Sequence, residues 1–118
     1  MDILIEQFVK ENHISCIFLS IIGGDRYGFE KEEAQIILNY LKDEIIPIVG
    51  IDVYIRKDNE LHLPLSYNNW YCERNDCESF SDYSHRSNIE AISFINNYNS
   101  ANGIPIFDIY CFHLKNGE

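Results

Sequence analysis

Ile48-Val49-Gly50-Ile51-Asp52-Val53-Tyr54-Ile55 is the most apolar and most β-branched stretch of the chain, and it alternates. Val49, Ile51, Val53 and Ile55 share one face of an extended strand, while Gly50, Asp52, Tyr54 and Arg56 share the other. One apolar and one mixed face is the pattern of an antiparallel strand covered on a single side. Arg56-Lys57-Asp58-Asn59 then supplies the Asp and Asn that reverse a chain. Beyond this turn Leu61, Leu63, Leu65 and Tyr67 carry the apolar face onward, with Glu60, His62 and Pro64 opposite. The reading is a β-hairpin. Its second strand lies at a sheet edge, because Pro64 has no N–H to donate to a ladder.

The remaining segments supply cover for that hairpin. Asp2 to Asn12 reads as a short helix capped by Asp2. Ile14 to Ile22 is apolar without a decisive period, so it fits a buried helix or a strand, and Gly23-Gly24 ends it. Phe29 to Glu44 is a helix with Ala34, Ile37, Leu38, Leu41 and Ile45 along one stripe. Its opening turns hold Glu30, Glu32 and Glu33, where the macrodipole favours negative charge. Ser66 to Cys72 reads as an extended connection and Glu73 to Glu78 as an exposed polar loop. Ser79, with Asp82 three residues on, has the form of a capping box and opens a helix to about Tyr98. A last strand runs from about Ile104 to Leu114. The expected fold is α+β: a small, mostly antiparallel sheet of hairpin plus C-terminal strand, packed against two to three helices. A right-handed crossover makes the hairpin's second strand and the last strand parallel. The first hairpin strand then lies between them, antiparallel to both.

A chain of 118 residues, 46% hydrophobic and 14% aromatic, is expected to form a single domain over residues 1–118 with a packed core. Nineteen acidic residues against nine basic give a formal net charge of −10. That balance excludes a phosphate-binding face for nucleic acid and an attraction to anionic membranes. Its natural complement is a basic protein surface, although acidity also serves plain solubility. Asp2 and Glu6 stand where a signal peptide is basic, and the apolar run from Ile14 to Ile22 is too short to span a bilayer. The expectation is a cytoplasmic protein with its four cysteines reduced.

Few residues form a pattern that carries chemistry. Cys72, Cys77, His62 and His85 do not have zinc-site spacings, so no metal is expected. Gly23-Gly24 and Gly28 lack the spacing and the Lys of a phosphate loop. Cys16 and Cys111 sit in apolar runs as small core residues. Cys72, with a nearby His, is the one candidate nucleophile, and it defines an alternative reading as a small enzyme or ligand-binding domain. What remains is surface. The even-numbered hairpin face carries Asp52, Tyr54, Arg56, Glu60 and His62, and the last strand adds Asp108, Tyr110 and Phe112 at matching parity. Such a face is either a recognition surface of aromatic anchors and charges or is covered by the amino-terminal segment, leaving Asp52 a structural carboxylate. Trp70 and Tyr71 are either core plugs or contact residues. Glu73, Asp76 and Glu78 form an acidic loop, with Asp82 just beyond it, able to meet a basic partner.

Gly50-Ile51-Asp52-Val53-Tyr54, the aromatic stretch Tyr67-Asn68-Asn69-Trp70-Tyr71-Cys72, and Glu78-Ser79, Tyr83, Ser87, Ala91, Ile95 and Tyr98 resemble the immunity protein 40 family of bacterial polymorphic toxin systems. The resemblance covers roughly Phe29 to Tyr110, and Ile51 stands where that family usually carries a second glycine. It implies a cytoplasmic antidote that binds and neutralises a cognate toxin domain, with no catalysis and no cofactor. Many such toxins are basic nucleases, whose clefts an acidic inhibitor can fill in place of phosphates. The expected contact residues are Asp52, Tyr54, Glu73, Asp76, Glu78 and Asp82, with Trp70 and Tyr71 as aromatic anchors. The oligomeric state is left open.

Overall fold

A computed structural model describes residues 3–19, 26–63, 69–100 and 103–112. In chain order these form α1 (Ile3–Glu11), β1 (Ile17–Phe18), β2 (Tyr27–Gly28), α2 (Lys31–Asp43), β3 (Ile48–Lys57), β4 (Glu60–His62), β5 (Trp70–Tyr71), α3 (Phe80–Asn97) and β6 (Ile104–Cys111). The expectations for Gly23-Gly24, Pro64, Leu65, Tyr67 and Leu114 fall outside the described residues.

The α+β architecture is as the sequence implies. β3 pairs antiparallel with β6 from Ile48 opposite Cys111 to Arg56 opposite Ile104. β4 meets Ile55 to Lys57, and β5 meets Gly50 and Ile51, also antiparallel. Both contact β3 residues that also pair with β6, so they share the other edge. The first hairpin strand therefore lies between β4 and β6. The gap along the shared edge is bridged by a side chain, since the Val53 N–H donates to Asn69 Oδ1 at 2.8 Å. Trp70-Tyr71 is thus a short strand within what the sequence suggested is an extended connection. Asp58 and Asn59 both take positive φ, 52° and 64°, between the paired Lys57 and Glu60. Those are the two-residue turn conformations that Asp and Asn tolerate and that suit a tight hairpin.

Two details depart from simple alternation. A register shift between Ile48 and Gly50 buries Ile48 and leaves Val49 exposed. A bulge adds a residue to one strand and so reverses the parity on its far side. The Ile48 N–H turns to Ser87 Oγ of α3 at 2.9 Å, and the Val49 carbonyl accepts from Cys72 N–H. The second departure follows from the turn. With two residues between Lys57 and Glu60, Leu61 lies opposite Arg56 and shares the face of Tyr54. The expected apolar continuation through Leu61 and Leu63 on the Val53 face does not form, and Leu63 is exposed.

The core lies between the odd face of the sheet and the helices. Ile51, Val53, Ile55, Phe107 and Ile109 meet Ala34, Ile37, Leu38 and Leu41 of α2, Ala91 and Ile95 of α3, and Ile5 and Val9 of α1. Each large aliphatic or aromatic side chain removed from water contributes about 1.5–3 kcal/mol. α2 begins at Lys31, because Phe29 exchanges backbone hydrogen bonds with Phe107 of β6 instead of opening the helix. Ser79 caps α3 by accepting from Asp82 N–H at 3.0 Å. Asn88 is also buried, and its amide donates to the Ile46 and Ser84 carbonyls. On the opposite sheet face, the β1–β2 hairpin brings Leu19 against Tyr54 and Ile106 as a second, smaller core. Gly28 permits this, since a Cβ there would meet Ile106 Cγ2 at 2.6 Å.

Ser87→Ala leaves the buried Ile48 N–H without an acceptor. The expected loss is about 1–3 kcal/mol, read as a lower urea midpoint with an unchanged m-value. An unchanged midpoint would show that the bulge does not depend on α3.

Candidate functional site

Two polar clusters flank β5. The first sits on the sheet face away from the helices. Asp52 and Asp108 are directly opposite on β3 and β6, an arrangement in which like charges repel. Each is stabilised differently. Asp108 is 4% exposed and takes Nε and Nη2 of Arg26 at 2.8 and 2.6 Å. Burial nonetheless pushes its pKa above the usual aspartate value, outweighing the pull of Arg26. Asp52, partly buried, accepts from the phenols of Tyr110 at 2.9 Å and of Tyr71. The Arg26 guanidinium stands 4.1 Å from the centre of the Tyr110 ring. Burial first, then the nearby Asp108, drives the Tyr110 phenol upward, so it remains a donor at every physiological pH. Tyr71 reaches Asp52 across Gly50, where a Cβ would stand 2.5 Å from the ring. Only glycine leaves that path open.

The expected face is therefore divided. Its Tyr54 end is covered by the amino-terminal hairpin, and Tyr54 itself is 6% exposed. The Asp52 end carries Tyr71, which is 60% exposed. Phe112 meets Phe80 at the start of α3 edge-on, 5.4 Å between centroids.

The second cluster is built around Arg86 on α3. Its Nε and Nη2 grip both carboxylate oxygens of Glu78 at 2.8 and 2.9 Å, a bidentate pair. Nη2 also donates to the Glu73 carbonyl at 2.7 Å, and Nη1 to Glu90 at 2.9 Å. Glu78 further accepts from Asn75 N–H, and Arg74 donates to the Glu78 carbonyl, which closes the loop on itself. The Arg86 hydrogen bonds pull Glu78 from the ordinary value of 4.5 to about 2, and Glu78 in turn pushes Arg86 upward. Glu73 and Asp76 remain exposed on this braced loop, and Asp82 is exposed in the first turn of α3. Arg86 was not among the residues that sequence reasoning selected. A lone Arg four residues ahead of Glu90 signalled only a helical pair.

Cys72 lies beneath this cluster, 6% exposed. Its neighbours are Arg86 Nη1 at 3.1 Å and Glu90 at 3.7 Å, and Tyr83 donates to its carbonyl. Burial raises its thiol pKa, with Arg86 pulling the other way. A buried, predominantly protonated thiol has the wrong character for a nucleophile. Among the described residues, no three His, Cys, Asp or Glu side chains converge as a metal site. No described helix is long and apolar enough to cross a membrane. Trp70 is partly buried against the core, its ring 6.3 Å from Phe94, and its outer edge lines a groove along α3.

Fold and site together define a small acidic α+β domain in which the Arg86 cluster holds an exposed carboxylate loop in shape. The family model of immunity protein 40 matches residues 5–111, and the chain belongs to that family. By family it is an immunity protein of a toxin system. No curated protein and no solved structure matches the chain.

Glu78 supplies a pH test. Its folded pKa is depressed, so its contribution is fully present above pH 4.5 and is lost as pH falls through about 2. Glu78→Gln is expected to be less stable than the parent at pH 7, with the gap closing across that window in denaturant titrations. A gap of constant size would show that the Arg86 pair does not govern it.

Proposed function

We propose that this protein binds one cognate toxin domain in the cytoplasm and neutralises it stoichiometrically, without chemistry of its own. The family supports the toxin system, and the observation that carries the binding mode is the braced acidic loop. Glu73 and Asp76 are exposed on a segment that Arg86 holds through Glu78 and the Glu73 carbonyl, and Asp82 is exposed beside it in the first turn of α3. A rigid surface loses little conformational freedom on binding. With a net charge of −10, the chain favours encounter with a basic partner, such as the substrate cleft of a nuclease. Tyr71 and the partly exposed Asp52 extend the contact surface, with Trp70 as a further anchor. Tyr54 supports that surface from beneath, and Glu78 serves by shaping the loop.

The test is association with the toxin domain encoded beside this chain. Glu73→Lys, Asp76→Lys and Asp82→Lys combined are expected to slow association at low salt by about tenfold or more and to flatten its salt dependence. Glu73, Asp76 and Asp82 lie outside the core, so thermal unfolding should be nearly unchanged. Unaltered kinetics and unaltered protection of cells would remove the loop from the interface.

A further inference from the structure

α3 carries a second stripe besides the one it buries. Glu90, Ser93, Phe94, Asn97 and Tyr98 recur at intervals of three and four, which puts them on one side of the helix. With Trp70 of β5 they line an open groove of about 640 Å³. Its floor is aromatic and fixed. Trp70 stacks near Phe94, Phe94 meets Tyr98 edge-on at 5.6 Å, and both Phe94 and Tyr98 rest against the fully buried Phe107.

The ends of the groove are acidic. At one end Arg86 is shared between Glu78 and Glu90, and the exposed Glu73 and Asp76 just beyond keep the balance negative despite Arg74, which donates to the Glu78 carbonyl. At the other end Tyr98 and Asn99 also line a second cleft of about 380 Å³, whose rim holds Glu30, Glu32 and Glu33. Glu30 is paired with Arg56. Partial burial, together with repulsion from Glu30 and Glu32, raises Glu33 above the usual glutamate value, as expected where like charges crowd. Among the described residues Lys31 is the one basic residue lining either space, and it donates to the Asn96 carbonyl. An aromatic floor between two acidic ends is complementary to a cationic side chain with an apolar stem.

We infer that this groove receives a basic segment of the toxin, with an Arg or Lys side chain lying across the Trp70 and Phe94 rings and its charge directed at Glu90. The inference rests on the immunity reading and adds the place and chemistry of one contact. Such a contact explains a partly exposed Trp held rigidly over a core it only half enters.

Trp70 is the only tryptophan of the chain, which makes the groove directly observable. With fluorotryptophan incorporated into this chain alone, the single fluorine resonance is expected to shift when the neighbouring toxin domain is added. It should stay fixed when the chain is merely concentrated. Ser93 is exposed, so Ser93→Trp is expected to fill the groove, keep the thermal midpoint and weaken toxin binding by about tenfold or more. Asn97→Trp, one turn on, serves if the first variant fails to fold. Tight binding with an unmoved resonance, or with an undiminished affinity in the folded groove-filled variant, would overturn the groove and leave the immunity reading standing. A resonance that shifts on concentration alone would assign the groove to a second copy of this chain instead. Absence of any binding by the parent chain would remove both readings.

Discussion

β3 has neighbours along both edges, and the positions of the other described elements follow from that. A strand paired on both sides cannot slide, because a slip of one residue would move Ile51, Val53 and Ile55 away from the helices and bring Asp52 among them. The alternation of its side chains thus decides which face α2 and α3 cover and which face carries carboxylates. β6 holds the register along nearly the whole length, while β4 and β5 hold only the ends of the other edge. Ser87 fastens the start of β3 to α3, coupling the sheet to the helix that also carries Arg86.

The carboxylates are managed by unlike means. Asp52 and Asp108 face one another across the ladder, and a single guanidinium is assigned to the deeper one. The shallower is left to two phenols, which satisfy its oxygens without cancelling its charge. Arg86 likewise sits between two glutamates and draws the loop backbone to itself. In both places one cation organises a surrounding excess of anions. The surface stays negative while the backbone beneath it is firmly held.

Much of the fold was legible because it is written in local periodicity. The central strand, the Asp58-Asn59 reversal, the α2 stripe from Ala34 to Leu41 and the Ser79 cap all rest on spacing within a few residues, whereas Ile45, expected on that stripe, lies beyond the helix and is exposed. The topology followed from connection handedness, placing β3 between β4 and β6. What spacing cannot show is a change of parity. The bulge at Val49 is accompanied by Ser87, 39 residues from Ile48 in sequence, accepting the Ile48 amide. The displacement of Leu61 depends on a turn of two residues, where a turn of three would have kept it on the Val53 face. Phe29 fitted a helical start until Phe107 offered a backbone partner. At the candidate site, the residue types were right for a charged surface, but the sequence could not say which acids were already engaged. Glu78 looked like any other member of the loop until Arg86 was seen to hold both its oxygens.

The amide of Asn69 occupies the place where a strand residue would otherwise bond to Val53. Interrupted sheet margins are poor templates for a stranger's backbone, since no uninterrupted row of donors and acceptors is offered. Among the described residues the Asn69 side chain, between β4 and β5, thereby helps guard the flank of the most β-prone stretch against fibril-like growth.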